Sequence, residues 1–82
     1  MYFVYLIVSI NKKRTISYVG YTNNIKKRLK NHNDSKGAKF TRGRKWKLLY
    51  SERFRTKKQA ISREYYIKRN RSFRNKIKKN YK

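Results

Sequence analysis

The chain of 82 residues carries 26 lysines and arginines against three acidic residues, which gives a formal net charge of +23 at pH 7. A chain with so dense a positive charge repels itself unless a polyanion neutralises it, and the phosphate backbone of a nucleic acid is the commonest such partner. With 37% hydrophobic residues, residues 1–82 suit one small domain with one modest core. The sequence contains no cysteine, which excludes disulfides, thiolate zinc sites and a cysteine nucleophile.

The longest apolar run, residues 2–8, is far shorter than the roughly 18 residues of a membrane span. It also lacks the basic start and the small-residue cleavage site of a signal peptide. We therefore expect a cytoplasmic protein, which could associate with the nucleoid, and no membrane partner.

Two strands are predicted at the start of the chain. Residues 3–8 are aliphatic, aromatic or β-branched throughout, a pattern typical of a strand that is buried on both faces. A polar turn is predicted at 11–14, and residues 15–19 form a second run that stops at Gly20. The two runs predict an antiparallel hairpin that places Tyr5 and Tyr18 on neighbouring strands.

A helix is predicted next. Residues 22–24 offer side-chain acceptors for the amides at its start, and apolar residues recur at a spacing of four within residues 25–33. Arg28 and His32 are also four apart, so they share one helix face and can act on the same group. We expect that face to adjoin the hairpin.

The rest of the chain predicts one more strand and two more helices. Residues 37–43 form a basic connection with Gly43 at its turn, and the run at 46–51 predicts the third strand. A helix should begin at Thr56, a suitable N-cap, and contain Glu64 within its core-facing stripe. The apolar members of that stripe are Ala60, Ile61, Tyr65 and Ile67.

A final basic helix over residues 72–79 can dock through Phe73 and Ile77. The order of elements is β-β-α-β-α-α. It predicts an α/β fold with a small three-stranded antiparallel sheet flanked by helices.

The three acids, Asp34, Glu52 and Glu64, limit the chemistry. Two-metal nucleases need several acidic oxygens around two cations about 4 Å apart, which three scattered acids cannot supply. A single Mg²⁺ tolerates one protein carboxylate and takes its other ligands from water and phosphate. The nucleophile would then be activated by tyrosine, histidine, lysine or a metal-bound hydroxide, and arginine would stabilise the transition-state charge.

Five ordered elements resemble the GIY-YIG nuclease family. Residues 3–5, the first motif, read Phe-Val-Tyr, and residues 18–20, the second motif, read Tyr-Val-Gly. Arg28 follows ten residues after Tyr18, and Glu64 lies on a later helix. The basic connection at 37–43 is also similar to that of small single-domain bacterial members. The resemblance covers nearly the whole chain.

This resemblance implies a divalent-metal-dependent DNA endonuclease with low intrinsic sequence specificity. Tyr5 and Tyr18 would line the site around the attacking water, and one of them would be the general base. Arg28 would contact the scissile phosphate with His32 as its polar partner, and Glu64 would be the protein ligand of one Mg²⁺ or Mn²⁺ ion.

A tyrosine with its usual pKa near 10 is a poor base at neutral pH, so a neighbouring cation must lower the pKa or the metal must share the task. Some relatives place a lysine directly after the glycine of the second motif, where this sequence has Tyr21. Lys26, Lys27 and Lys68 are candidates to replace that lysine.

Eight basic residues are predicted to contact the nucleic-acid backbone without reading its sequence. They are Lys26, Lys27, Lys39, Arg42, Arg44, Lys68, Arg71 and Arg74. Phe40 and Trp46 could stack on bases, although a small domain more often needs its large aromatic residues in the core. A protein partner could supply specificity, and the sequence leaves the oligomeric state open.

Simpler interpretations stand beside these. The two tyrosines could be ordinary strand residues, Arg28 and His32 a solvated basic face, and Glu64 the partner of Lys68 in a surface ion pair at a spacing of four. The alternative function is a non-catalytic basic nucleic-acid-binding module, either ribosome-associated or architectural. A site that brings a carboxylate to the tyrosines and Arg28 would distinguish the nuclease from such a module.

Overall fold

The computed structural model describes residues 1–10, 15–36 and 39–79. The elements are β1 (Tyr2–Ile10), β2 (Thr15–Thr22), α1 (Ile25–Asn33), a short 3₁₀ turn (Lys39–Thr41), β3 (Lys47–Phe54), α2 (Lys57–Arg69) and α3 (Arg71–Lys79). The predicted order and the α/β class are confirmed. The turn predicted at 11–14 lies outside the described residues. The glycine at the turn before β3, Gly43, has a φ of +77°, which fits its predicted role.

The three strands form one antiparallel sheet in the order β2-β1-β3. Residues 4–8 of the central strand are at most 2% exposed, which confirms a strand buried on both faces. In the pairing of β1 with β2, Tyr5 lies opposite Gly20 and Ile7 lies opposite Tyr18. Directly paired residues point to the same side of a sheet, so both tyrosines belong to one face.

The sheet divides the core into two clusters. On one face, β-strand residues pack against α2 and α3, and this cluster contains Val4, Leu6, Val19, Ala60 and Ile67. On the other face Tyr5, Ile7 and Trp46 are buried, with Leu29 of α1 packed against them. The second cluster therefore carries the tyrosine of the first motif.

The helix starts follow the predicted capping chemistry. Asn24 caps α1 by accepting a hydrogen bond from the Lys27 amide at 3.1 Å. Thr56 caps α2 in a reciprocal capping box with Gln59. Phe73 and Ile77 of α3 pack on the first core cluster, which confirms the predicted docking of that helix.

The predicted core stripe of α2 is wrong at two positions. Ala60 and Ile67 are at most 1% exposed, but Ile61 is 41% exposed and Tyr65 is 60% exposed. Each of these two follows a less exposed residue, Ala60 or Glu64, by one position, and one position turns the side chain by about 100° around a helix. The third strand, predicted at 46–51, instead begins at Lys47 and continues to Phe54. Within the described residues, no helix is long and apolar enough to cross a membrane.

Candidate functional site

The hydroxyl of Tyr5 is the centre of a buried hydrogen-bond network. Arg28 donates from Nε to Tyr5 Oη at 3.2 Å, and His32 Nε2 lies 2.9 Å from the same oxygen. Tyr5 is 2% exposed and His32 is fully buried. One turn of α1 therefore brings both side chains to one group, which confirms the predicted shared face and excludes a solvated surface for His32.

Gly20 makes room for this hydroxyl. A Cβ atom at this position would lie 2.4 Å from Tyr5 Oη and 2.7 Å from Cζ of the same ring. Such distances are well inside van der Waals contact, so any larger residue would displace the ring. The glycine of the second motif and the tyrosine of the first are thus complementary in shape.

Two residues outside the predicted set, Thr41 and Asn33, connect α1 to the segment before β3. The Nδ1 atom of His32 lies 2.8 Å from Oγ1 of the buried Thr41, and the carbonyl of Thr41 accepts from Trp46 Nε1 at 2.9 Å. Asn33 joins α1 to the start of β3, since its side chain accepts from the Trp46 amide at 2.6 Å and donates to the Trp46 carbonyl at 3.1 Å. No sequence signal distinguishes Thr41 or Asn33 from ordinary polar loop and helix-end residues.

Burial controls the protonation of the network. Desolvation lowers the pKa of His32, and the charge of Arg28 lowers it further, so the imidazole is neutral at pH 7. Desolvation raises the pKa of Tyr5 and outweighs the opposing hydrogen bond and charge of Arg28. Arg28 thus lowers the pKa of Tyr5 as a neighbouring cation should, but burial keeps the net pKa above its usual value.

Arg28 is close to both tyrosines. Its hydrogen bond to Tyr5 is the main cause that raises its pKa, and the nearby Tyr18 adds to the rise. The Tyr18 ring meets His32 edge-on, with 5.3 Å between the ring centres. Unlike Tyr5, Tyr18 is only half-buried and borders an open cleft.

Glu64 approaches this group from α2. Its side chain is 17% exposed, and its Oε2 lies 3.4 Å from Lys68 Nζ, so the ion pair weighed from the sequence is present. The charge of Glu64 also contributes to the raised pKa of Tyr5. Lys68 Nζ in turn lies 5.7 Å from the centre of the Tyr18 ring. Of the three candidate lysines, Lys68 is thus the one that contacts a site tyrosine, while Lys26 and Lys27 are exposed on α1.

The acids fit at most a site with one protein carboxylate. In the described part of the chain, no group of three or more His, Cys, Asp or Glu residues could hold a metal ion. Asp34 lies at the end of α1 with Lys30 Nζ at 2.7 Å, and Glu52 binds Arg63 through two hydrogen bonds of 2.7 and 2.9 Å. Glu64 is the acid whose charge acts on Tyr5, and one carboxylate suffices for Mg²⁺.

Comparison with known proteins agrees with this geometry. The family model of the GIY-YIG catalytic domain matches residues 1–80 of this chain. The chain belongs to the GIY-YIG family. The resemblance inferred from the motifs is therefore confirmed.

Relatives of this GIY-YIG chain include several UPF0213 proteins. The protein from Bacillus licheniformis is 62% identical over 53 residues, which cover 63% of this chain and 55% of the relative. The Clostridium perfringens protein is 58% identical over 53 residues, which cover 63% of this chain and 57% of the relative. Protein YazA of Bacillus subtilis is 51% identical over 53 residues, which cover 63% of this chain and 54% of the relative. The chain spans little more than half the length of these relatives, and no solved structure matches it.

The basic residues predicted to contact nucleic acid are spread over the GIY-YIG domain. Lys68 and Arg74 line a cleft of about 310 Å³ at the edge of the sheet, together with Tyr18 and Phe40. Arg71 lines a separate groove between α2 and α3. The remaining five lie at the surface, with Arg44 half-buried: Lys26, Lys27, Lys39, Arg42 and Arg44. Their contact with nucleic acid stays a prediction.

Proposed function

We propose that the protein is an endonuclease that hydrolyses a phosphodiester bond of DNA, with one Mg²⁺ or Mn²⁺ ion and little sequence preference of its own. The observation that carries the proposal is the hydrogen bond of Arg28 to Tyr5, with Tyr18 and Glu64 close enough to influence this pair. A module that only binds nucleic acid has no need for a carboxylate whose charge reaches the tyrosine that holds this arginine. A protein partner could supply the specificity that this small basic domain lacks.

Arg28 is suited to hold the scissile phosphate. A guanidinium has five N–H donors, and Arg28 gives its Nε–H to Tyr5, so the donors at its tip can bind phosphate oxygens. The side chain is half-buried, which weakens competition from water. Donors fixed in this way stabilise the negative charge that develops on the phosphate in the transition state.

The two tyrosines differ in what they can do. Tyr5 is buried, is hydrogen-bonded to Arg28 and His32, and has a raised pKa, so it remains protonated and serves to hold the arginine in place. Tyr18 borders the open cleft, so its oxygen can meet the attacking water and, as the phenolate, take a proton from it. We therefore assign Tyr18 as the general base and Tyr5 as a positioning residue.

Glu64 would hold the metal ion. A bound divalent cation supplies charge neutralisation at the phosphate and makes a water molecule more acidic. The 3.4 Å contact of Glu64 with Lys68 is longer than a tight charge-assisted hydrogen bond of about 2.7–2.9 Å, so the carboxylate keeps the capacity for another cation. Lys68 would remain beside the Tyr18 ring, where its charge favours the phosphate of the substrate.

The test is an assay on nicked, branched and continuous duplex DNA, and on RNA of the same sequence, with Mg²⁺, with Mn²⁺ and with a chelator. We expect metal-dependent cleavage of DNA. Tyr18→Phe should lower the cleavage rate by about 10²–10⁴-fold with unchanged DNA affinity, because only the proton acceptor is removed. Tight binding of the wild-type protein without cleavage in any metal would contradict the proposal and favour the non-catalytic binding module.

A further inference from the structure

Phe40 is an exposed aromatic side chain beside the candidate site. It is 56% exposed, whereas Trp46, the other aromatic residue considered for base stacking, is 3% exposed. Phe40 stacks on Tyr18 with 6.1 Å between ring centres and 24° between ring planes. The Tyr18 ring in turn contacts the buried His32. These rings lead from the buried network to solvent, and Phe40, which also meets the buried Trp46 with 6.5 Å between ring centres, is the exposed one.

The cleft beside Phe40 has the size and charge for one nucleotide. Its volume of about 310 Å³ lies at the lower end of the range of small-ligand sites, about 300–1,000 Å³, and is too small for a duplex. Lys68 and Arg74 line the same cleft and can bind phosphate. The acid that contacts these cations is Glu64, through Lys68, and Arg74 also donates to the Ile67 carbonyl at 2.8 Å.

We propose that the substrate carries an unpaired nucleotide next to the bond that is cut, and that its base stacks on the exposed part of the Phe40 ring. A base within a continuous duplex already stacks on its neighbours, whereas an unpaired base has a free π face for an aromatic side chain. The substrate class is therefore DNA with a flap, branch or single-stranded segment at the cut. This inference rests on the proposed function, since Tyr18 marks the position of the reacting phosphate.

Binding measured in a chelator tests the stacking independently of cleavage. The probes are a flap oligonucleotide with a fluorescent adenine analogue at the unpaired position and a continuous duplex of equal length. Phe40→Leu keeps an apolar side chain but removes the π face, so it should weaken flap binding by about 5- to 100-fold and leave duplex binding unchanged. Phe40→Trp should restore flap binding and the change in fluorescence of the analogue.

Tyr65→Leu is the matched control, because Tyr65 is 60% exposed but lines the groove between α2 and α3 instead of this cleft. It should bind the flap like the wild-type protein. Equal flap affinity of Phe40→Leu and the wild type would overturn the inference, as would an equal loss in Tyr65→Leu. Cleavage without flap preference by the wild type would overturn the inference alone, whereas the expected binding pattern without any cleavage would overturn only the proposed function.

Discussion

Replacing Gly20 with alanine should disrupt the alignment of the Tyr5 hydroxyl with Arg28 and His32. The new methyl group would lie 2.4 Å from Tyr5 Oη, so the oxygen would have to retreat by about 1 Å to reach an ordinary contact of 3.4 Å. The hydrogen bonds of 3.2 Å to Arg28 and 2.9 Å to His32 cannot both survive that movement. At an uncrowded strand position the same change would instead stabilise the protein by about 0.5–1 kcal/mol.

The expected cost follows from the crowding and the lost hydrogen bonds. Overpacking of a core costs about 1–3 kcal/mol, and a buried polar group without its partner costs about 1–3 kcal/mol, so we expect a loss of about 2–6 kcal/mol. For a domain of this size, each kcal/mol corresponds to about 4–8 °C in Tm. Tyr5→Phe removes the atom that the methyl group meets first, so the double variant Tyr5→Phe/Gly20→Ala should lose less stability than the two single variants together.

Thermal unfolding followed by circular dichroism measures this coupling. The proteins compared are the wild type, Gly20→Ala, Tyr5→Phe and the double variant. Gly20→Ala should also cut DNA more slowly, because Arg28 loses its hydrogen bond to Tyr5. This should hold even at low temperature, where the variant is still folded. A Tm of Gly20→Ala within about 1 °C of the wild type, or losses that add without coupling, would refute the proposed contact between Gly20 and Tyr5.

Three further outcomes are expected. If about 6 to 10 phosphates are contacted, DNA affinity should fall roughly 10³- to 10⁵-fold between 50 and 200 mM salt, and a flat response in a salt titration would contradict backbone binding. Since the pKa of the single histidine, His32, is lowered by folding, the unfolded chain takes up its proton first on acidification. Stability should therefore be complete above about pH 6.5 and decline below it, and His32→Gln should remove that decline between about pH 7 and 5 in Tm measurements. Thr56→Ala removes the capping box of α2 and should cost about 1 kcal/mol in denaturant unfolding, whereas an unchanged midpoint would show that the cap contributes nothing.

Local patterns predicted the elements and part of the site. The apolar run at 3–8 and the stop at Gly20 predicted the hairpin, and the hairpin fixed which strands carry Tyr5 and Tyr18. The spacing of four between Arg28 and His32 predicted that both reach one group, and the structure shows that this group is the Tyr5 hydroxyl. These features depend on short-range geometry, which the sequence contains directly.

Features that depend on tertiary packing were not predictable. Thr41 supports His32 across nine positions of sequence, and Arg63 binds Glu52 across eleven, so neither pair leaves a local pattern. Glu52 of β3 is held by Arg63 and by the hydroxyl of Tyr50.

Helix phase and burial also needed the structure. The sequence pattern places Tyr65 on the wrong face of α2, because an apolar residue one position from a stripe fits the stripe nearly as well in a sequence. The raised pKa of Tyr5 likewise depends on its burial, which outweighs the charge of Arg28.

The most direct test of the central claim compares Glu64→Gln with Asp34→Asn. Each variant removes one of the three carboxylates and changes the net charge equally, but Asp34 is an exposed residue at the end of α1 with its charge paired to Lys30. With Mg²⁺ and branched DNA, Glu64→Gln should bind like the wild type and cut at least about 10²-fold more slowly, while Asp34→Asn should cut normally. Equal cleavage by Glu64→Gln and the wild type would contradict the assignment of Glu64 as the metal ligand.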